Sequence, residues 1–341
     1  MDSQTPMSSS IQLAHGSGGL MTRELLDQII FSTFKNPFLE QKHDGAIVPL
    51  KGPVVISTDS FVVSPIFFAG GNIGDLAING TVNDVAMCGG VPEFISLGFI
   101  IEEGLDTSDF VKIVQTIKAA AEEAGVLIVT GDTKVVESGK GDKIFINTTG
   151  IGSPHPRAHI SMDRIRPGDQ LLVSGPIAAH GMAILSQREG LQFESEIRSD
   201  TTCLNHLVSD LLDEFGDQVH LLRDPTRGGI SSVCSEIAQD SALGVLLRET
   251  ALPLDPQVAA ACEMLGLDPL YVANEGIFCA IVDAEAAPKI LERMKSHPKG
   301  GRAALIGEIR SEYPGKVVME SAVGGSRIVT PLIGEQLPRI C

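Results

Sequence analysis

The spacing of apolar residues divides the chain into helical and extended stretches before any single residue is weighed. Phe110, Ile113, Val114, Ile117, Ala120 and Ala121 recur at three- and four-residue intervals. That period predicts an amphipathic helix over 107–124, capped by Thr107 or Ser108 and stopped by Gly125. Short apolar runs bounded by turn residues predict strands at 53–60, 126–129 and 145–152. Helices are expected at 21–30 and, from a run of small residues closed by Gly89-Gly90, at 74–88. Beyond Gln170 strands (171–174, 244–247, 277–282, 304–309) alternate with helices (178–186, 201–214, 255–265, 286–295), which predicts a mixed α/β (α+β) fold. No sustained internal repeat is present.

Breakers place the boundaries. Ser153-Pro154-His155-Pro156 and Arg166-Pro167-Gly168-Asp169 interrupt the pattern, and 341 residues exceed the size at which one core keeps growing. The expected organisation is a disordered start (1–10), an N-terminal domain (11–155), a C-terminal domain (156–323) and a flexible tail (324–341). Gly324-Gly325, Pro331, Gly334 and Pro338 deny the tail long regular structure and leave Cys341 on a tether. From Thr330 to Cys341 an extended chain reaches roughly 35–40 Å.

Composition removes several function classes. A net charge of −17 opposes binding to nucleic-acid phosphates or anionic lipid, and 4% aromatics with no Trp gives no base-stacking platform. No apolar run approaches the roughly 18 residues that span a bilayer. The polar start lacks signal-peptide character, so a cytoplasmic protein is expected. Six cysteines (Cys88, Cys203, Cys234, Cys262, Cys279 and Cys341) form no C-x-x-C pair, which argues against a zinc ribbon and for a reducing compartment. Cys234 and Cys279 read as core residues.

Acids at element ends carry the candidate chemistry. Asp44, Asp59, Asp84 and Asp132 recur beside Gly, Thr or Asn, and Asp224 opens a fifth such turn, Asp224-Pro225-Thr226-Arg227-Gly228-Gly229. Gathered carboxylates repel unless cations sit between them, and Mg²⁺ on nucleotide phosphates is the usual remedy. Asp75 lies nine positions from Asp84, on the opposite side of one helix, and is set aside. Asp224 as N-cap and Pro225 as first helical residue would explain that turn structurally, yet two glycines in a first turn suit close backbone approach instead. The loop Leu13-Ala14-His15-Gly16-Ser17-Gly18-Gly19 ahead of a helix exposes N–H groups able to cradle phosphate. Neither a Walker A motif nor G-x-G-x-x-G is present.

In order, Asp44-Gly45-Ala46, Ser57-Thr58-Asp59, Asn83-Asp84-Val85-Ala86-Met87-Cys88-Gly89-Gly90, Gly131-Asp132-Thr133 and Asp224-Pro225-Thr226-Arg227-Gly228-Gly229 resemble the nucleotide-binding motifs of the PurM-like ATP-dependent synthetases. With the terminal Pro338-Arg339-Ile340-Cys341, the chain resembles the HypE family of hydrogenase maturation factors within that superfamily, over residues 11–341.

The resemblance implies a homodimer whose N-terminal sheets form a barrel, with ATP and Mg²⁺ bound beside the interface. It implies a carbamoyl group carried on Cys341, supplied by the carbamoyltransferase HypF, dehydrated with ATP to a thiocyanate and passed as cyanide to the HypC–HypD complex for [NiFe] hydrogenase. Asp44, Asp59, Asp84, Asp132 and Asp224 would then hold metal, Asp132 and Asp224 together with Gly16, Gly18 and Gly19 would contact the nucleotide, and Glu275 and Lys134 would handle protons. The alternative within the superfamily is a synthetase or kinase acting on a free small molecule, like selenophosphate or aminoimidazole ribonucleotide synthetase, which needs no tail.

Overall fold

The computed structural model describes residues 8–41, 45–190 and 196–331; Asp44 and Cys341 lie outside them. The first helix, α1 (Leu20–Leu25), runs into a π-helical turn (Leu26–Phe31), so the helix expected at 21–30 is split. Then follow β1 (Val55–Phe61), the short pair β2 (Phe67–Phe68) and β3 (Gly71–Asn72), α2 (Ile73–Met87) and β4 (Gly90–Glu102). Helix α3 (Thr107–Ala124), β5 (Leu127–Val136) and β6 (Ile144–Pro154) complete the first half.

Strands β1-β6-β4-β5 form one sheet in that order, antiparallel except for the parallel pair β4–β5. Its covered face meets α2 and α3. Helix α3 is amphipathic, its Phe110, Ile113, Val114 and Ile117 fully buried and Phe110 edge-on to Phe99. Asp106 caps it in place of the expected Thr107 or Ser108, accepting the Ser108 N–H at 2.7 Å. Helix α2 has no polar face, because α3, the sheet and the second domain enclose it. Its buried Asn79, Thr81 and Asn83 are all hydrogen-bonded.

The second half holds β7 (Gln170–Val173), α4 (Ala179–Arg188), α5 (Asn205–Phe215) and β8 (Val219–Arg223). It continues with α6 (Gly229–Ser241), β9 (Gly244–Arg248), α7 (Pro256–Leu265), β10 (Cys279–Val282), α8 (Ala287–Ser296), β11 (Ala304–Arg310), β12 (Val317–Glu320) and β13 (Ser326–Val329). The seven-stranded sheet runs β13-β12-β9-β11-β7-β10-β8, with β12–β9 its parallel pair. Cys234 and Cys279 are core residues, as expected, with Cys203 and Cys262 also buried and Cys88 exposed. No helix among the described residues is long and apolar enough to cross a membrane.

Several expectations need correction. Helix α6 starts at Gly229, so Asp224 is not its N-cap nor Pro225 its first residue; Gly228 and Gly229 sit at φ +74° and +59°, outside helical space. The close approach is real: a Cβ on Gly229 would stand 2.6 Å from the carbonyl oxygens of Leu270 and Val272. Helix α5 starts at Asn205, not 201, and the Leu204 N–H just before it is donated to the Asn83 side chain at 2.8 Å. The tail does not begin at Gly324, since Ser326–Val329 pairs with β12 at the sheet edge. Nor is all of 1–10 loose: the Ser8 and Ser9 carbonyls accept from Thr107, and Ser10 bridges to Asp106. Strands β2, β3, β4, β8, β12 and β13 are additions.

Candidate active site

Strand β1 alternates, and the residues it sends to the covered face are Ser57, Asp59 and Phe61. Phe61 packs over Gly80 of α2, where a Cβ would come within 2.8 Å of the ring. One turn further, the Ser57 hydroxyl donates to Asp84 Oδ2 at 2.7 Å. The second domain closes the space from above. Asn274, fully buried, donates from its side chain to the Pro225 carbonyl at 2.8 Å and accepts the Ala178 N–H at 2.6 Å. This pins the Asp224–Pro225 turn to the turn that carries Glu275. The result is a cavity of about 190 Å³ between the domains, lined by Thr58, Asp59, Asp84, Asp224, Arg227 and Glu275 among others.

The cavity's charges are mutually unfavourable when it holds only these side chains. Burial raises the Asp59 carboxyl, opposed by the Ser60 N–H and Arg227. Burial also raises Asp84, and the nearby Asp59 adds to the rise while Ser57, Arg223 and Arg227 oppose it. Asp224 is pushed up to about 7, first by burial and next by Asp84. Carboxylates with raised pKa values in one cleft mark a place where a cation would be welcome. Among the described residues no three acids, histidines or cysteines are close enough to form a closed metal cage. The carboxylates of the cleft offer oxygen donors, the ligand type that Mg²⁺ takes.

Asp75 stands apart, as its helical phase requires. Its carboxylate accepts the Asn72 N–H at 3.2 Å and closes the capping box at the start of α2. Burial pushes it up to about 7, and Asp200, beneath Glu275, up to about 6. With Asp224 these groups bind protons more tightly folded than unfolded, where aspartate titrates near 3.9. Stability of the protein without divalent cation is therefore expected to fall as pH rises from about 4 to about 7, and to level off above that. Thermal melts across that range check this, and Asp75→Asn should flatten the slope.

The remaining predicted residues lie elsewhere. Asp132 and Lys134 sit on β5, at the opposite sheet edge from β1, about 14 Å away at about 4.8 Å per strand. They also point to the other face. In register, Asp132 aligns with Gly98 and Lys134 with Ile100, on the side that carries Thr58, Thr149 and Asn147. Within one chain, then, Asp132 does not join Asp59, Asp84 and Asp224. Lys134 pairs with Asp132 at 3.1 Å, and both line a second cavity of about 240 Å³ with Gly16, Gly18 and apolar residues including Leu26, Ile30 and Phe31 of the π-helical turn. Gly16 is pressed against β5, where a Cβ would meet the Val135 nitrogen at 2.6 Å. The Gly18 N–H is donated to the Thr22 hydroxyl, and Gly19 is the N-cap of α1, outside the cavity lining.

Arg227 and Asn274 were not singled out from sequence. Arg227 lies inside a quoted motif, and a cation within an acid-bearing turn was the available signal. Asn274, one residue before Glu275, gives no such signal, since a buried amide is recognised only by its partners.

Known proteins place this geometry. Residues 42–153 match the N-terminal domain model, and residues 166–320 the C-terminal domain model, of AIR synthase related proteins. The chain is 51% identical over 333 residues to carbamoyl dehydratase HypE of Azotobacter vinelandii, the match covering 97% of each chain. It is 44% identical to carbamoyl dehydratase HypE of Escherichia coli K12, across 98% of this chain and 100% of that one. A crystal structure of HypE in complex with ATP superposes with a TM-score of 0.93 at 48% identity, covering 97% of this chain and 99% of the other. The crystal structure of a HypE–HypF complex gives 0.80 at 45% identity, over 90% and 99%. A thiamine-monophosphate kinase from Stenotrophomonas maltophilia, with a TM-score of 0.65 at 17% identity over 87% and 95%, shares the fold alone. With both domain models matched in order and near-complete coverage at this identity, the chain belongs to the AIR synthase related family and, within it, to the HypE carbamoyl dehydratases.

Proposed function

We propose that the protein is an ATP-dependent carbamoyl dehydratase acting on a carbamoyl group carried by its own Cys341. The observation that carries this reading is the cavity in which Asp59, Asp84 and Asp224 meet Arg227 and Glu275. A thiocarbamate loses water poorly because hydroxide is a bad leaving group. Its carbonyl oxygen therefore attacks the γ-phosphorus of ATP, the bond to the β-phosphate oxygen breaks and ADP departs. The C–O bond then breaks, phosphate leaves, and the nitrogen gives up its protons to yield S–C≡N.

The chain's groups fit these demands. Asp59, Asp84 and Asp224, with Asp44, would hold Mg²⁺, which when bound offsets charge on the phosphate oxygens. Arg227 supplies a cation at the same cleft. Glu275 accepts a proton from the carbamoyl nitrogen, and Lys134 assists beside Asp132. Gly16 and Gly18 border the nucleotide at the second cavity, whose apolar wall suits a base.

The separation of Lys134 and Asp132 from the acid cavity is met by a homodimer that pairs the open sheet faces, where Ile56 is 61% and Ile100 44% exposed. Each site would then take its acids from one chain and its β5 edge from the other. HypF, seen bound to HypE in a solved complex, would load the carbamoyl group, and the HypC–HypD complex would receive the cyanide, in the cytoplasm.

Intact-mass measurement tests the reaction. Carbamoylated protein incubated with MgATP should lose one water per chain, and Cys341→Ala should bind ATP yet accept no carbamoyl group. Unchanged mass after ATP turnover would sink the proposal, and full turnover of a free small molecule after deletion of 338–341 would favour the tail-independent synthetase.

A further inference from the structure

Residues 199–202, ahead of α5, pass under the turn that carries Glu275. There the two Asp200 carboxylate oxygens accept the Glu275 N–H at 3.2 and 3.3 Å, and one of them accepts the Gly276 N–H at 3.1 Å. The fit is close: a Cβ on Gly276 would stand 1.6 Å from the Asp200 carbonyl oxygen, so only glycine lets the two backbones lie together.

The segment is in turn tied to the helix that carries Asp84. Asn79 donates to the Thr201 hydroxyl at 3.2 Å, and Asn83 donates to the Thr202 carbonyl at 3.0 Å and to the Glu275 carbonyl at 3.5 Å. At its start, the Ser199 N–H reaches the Ala69 carbonyl at 2.8 Å and its hydroxyl meets His180 Nδ1 at 2.8 Å. The backbone of Glu275 is thus gripped at its N–H by Asp200 and at its carbonyl by Asn83, the neighbour of Asp84.

We propose that Asp200 is the positioning residue for Glu275, its carboxylate clamping the Glu275–Gly276 N–H pair so that the Glu275 side chain is presented to the cavity opposite Asp84. This rests on the reading of Glu275 as the proton acceptor. A carboxylate suits the task because both its oxygens accept, whereas an amide at the same place turns an NH₂ toward an N–H donor. The rise of the Asp200 carboxyl to about 6 shows that its burial is tolerated for this arrangement rather than favoured by charge.

The test compares Asp200→Asn, Glu275→Gln and the double variant in the carbamoylated full-length protein. Asp200→Asn should bind MgATP within about twofold of the parent while the single-turnover dehydration rate falls about 10–100-fold, as expected for a misplaced catalytic group. Its pH–rate profile should shift, because the charge beside the turn is gone, and the double variant should be no slower than Glu275→Gln alone. Asp200→Ser, whose side chain ends one bond short of the two N–H groups, should lower the rate in the same direction and replaces the amide variant if that one does not fold. A parental rate in Asp200→Asn alongside a slow Glu275→Gln overturns the positioning role alone. Additive losses in the double variant, or a fall in rate matched by an equal loss of ATP affinity with an unmoved pH profile, overturn it too. A parental rate in Glu275→Gln removes the reading of Glu275 and the positioning role with it.

Discussion

Asp84→Asn is expected to lower ATP-dependent dehydration by more than about 100-fold, equivalent to about 2.7 kcal/mol of transition-state stabilisation, without unfolding the protein. Asp84 is the centre of the acid cavity: it accepts from Ser57 and raises the pKa of Asp224. Replacing it by an isosteric amide removes an oxygen donor for the cation and one member of a repelling set. The ligand-free variant should therefore melt at the parental temperature or slightly above it, the pattern of a group kept for function at a cost in stability. Carbamoylation of Cys341 by the donor enzyme should continue. Loss of MgATP use with retained loading separates an enzyme from a passive thiol carrier, for which Asp84→Asn would be silent. Isothermal titration with MgATP, a thermal melt and single-turnover mass spectrometry read the three outcomes.

Two inactive variants should restore each other when mixed. Asp84→Asn disables the acid cavity, and Lys134→Ala disables the β5 edge. If each site combines the cavity of one chain with the β5 edge of its partner, a heterodimer of the two variants holds one doubly defective and one intact site. Random exchange makes half the dimers mixed, so activity should recover to about a quarter of the parental value. No recovery after verified subunit exchange would place Lys134 and Asp84 in the same chain's site, against the 14 Å or so and the opposite faces that separate β5 from β1. Ile56→Glu, on the open face, should abolish the recovery by blocking the pairing of sheets.

Helical phase was legible without the fold. The period that predicts α3 and the nine-residue offset that separates Asp75 from Asp84 are both local geometry, and both survive in the structure, with Asp75 capping α2 and Asp84 in the cavity. The turn after β8 was only half legible. Asp-Pro is a sound helix opening on average, but Gly228-Gly229 accommodates contact with the Leu270 and Val272 carbonyls, and that contact comes from residues more than forty positions away. Strand β4 escaped because a bulge near Pro92 and adjacent apolar residues at Phe94 and Ile95 break its alternation.

What the sequence by itself determined is the chemical inventory: recurring aspartates in small-residue motifs, an acidic chain that needs cations to bind phosphate, a final cysteine and the motif order of its family. Each is a property of nearby residues or of totals, and needs no knowledge of distant neighbours. That Asp59, Asp84 and Asp132 lie within β1, α2 and β5 rather than at element ends is a correction. Which acids meet was decided by tertiary structure alone. Strand order and sheet face put Asp59 over α2 and Asp132 on the far edge facing out, because a strand's partners and its buried side depend on long-range pairing that residue spacing does not encode. The same holds for Asp200 and Asn274, ordinary polar residues in sequence that become supports for Glu275 and Asp224 only when three separate segments close on one cavity.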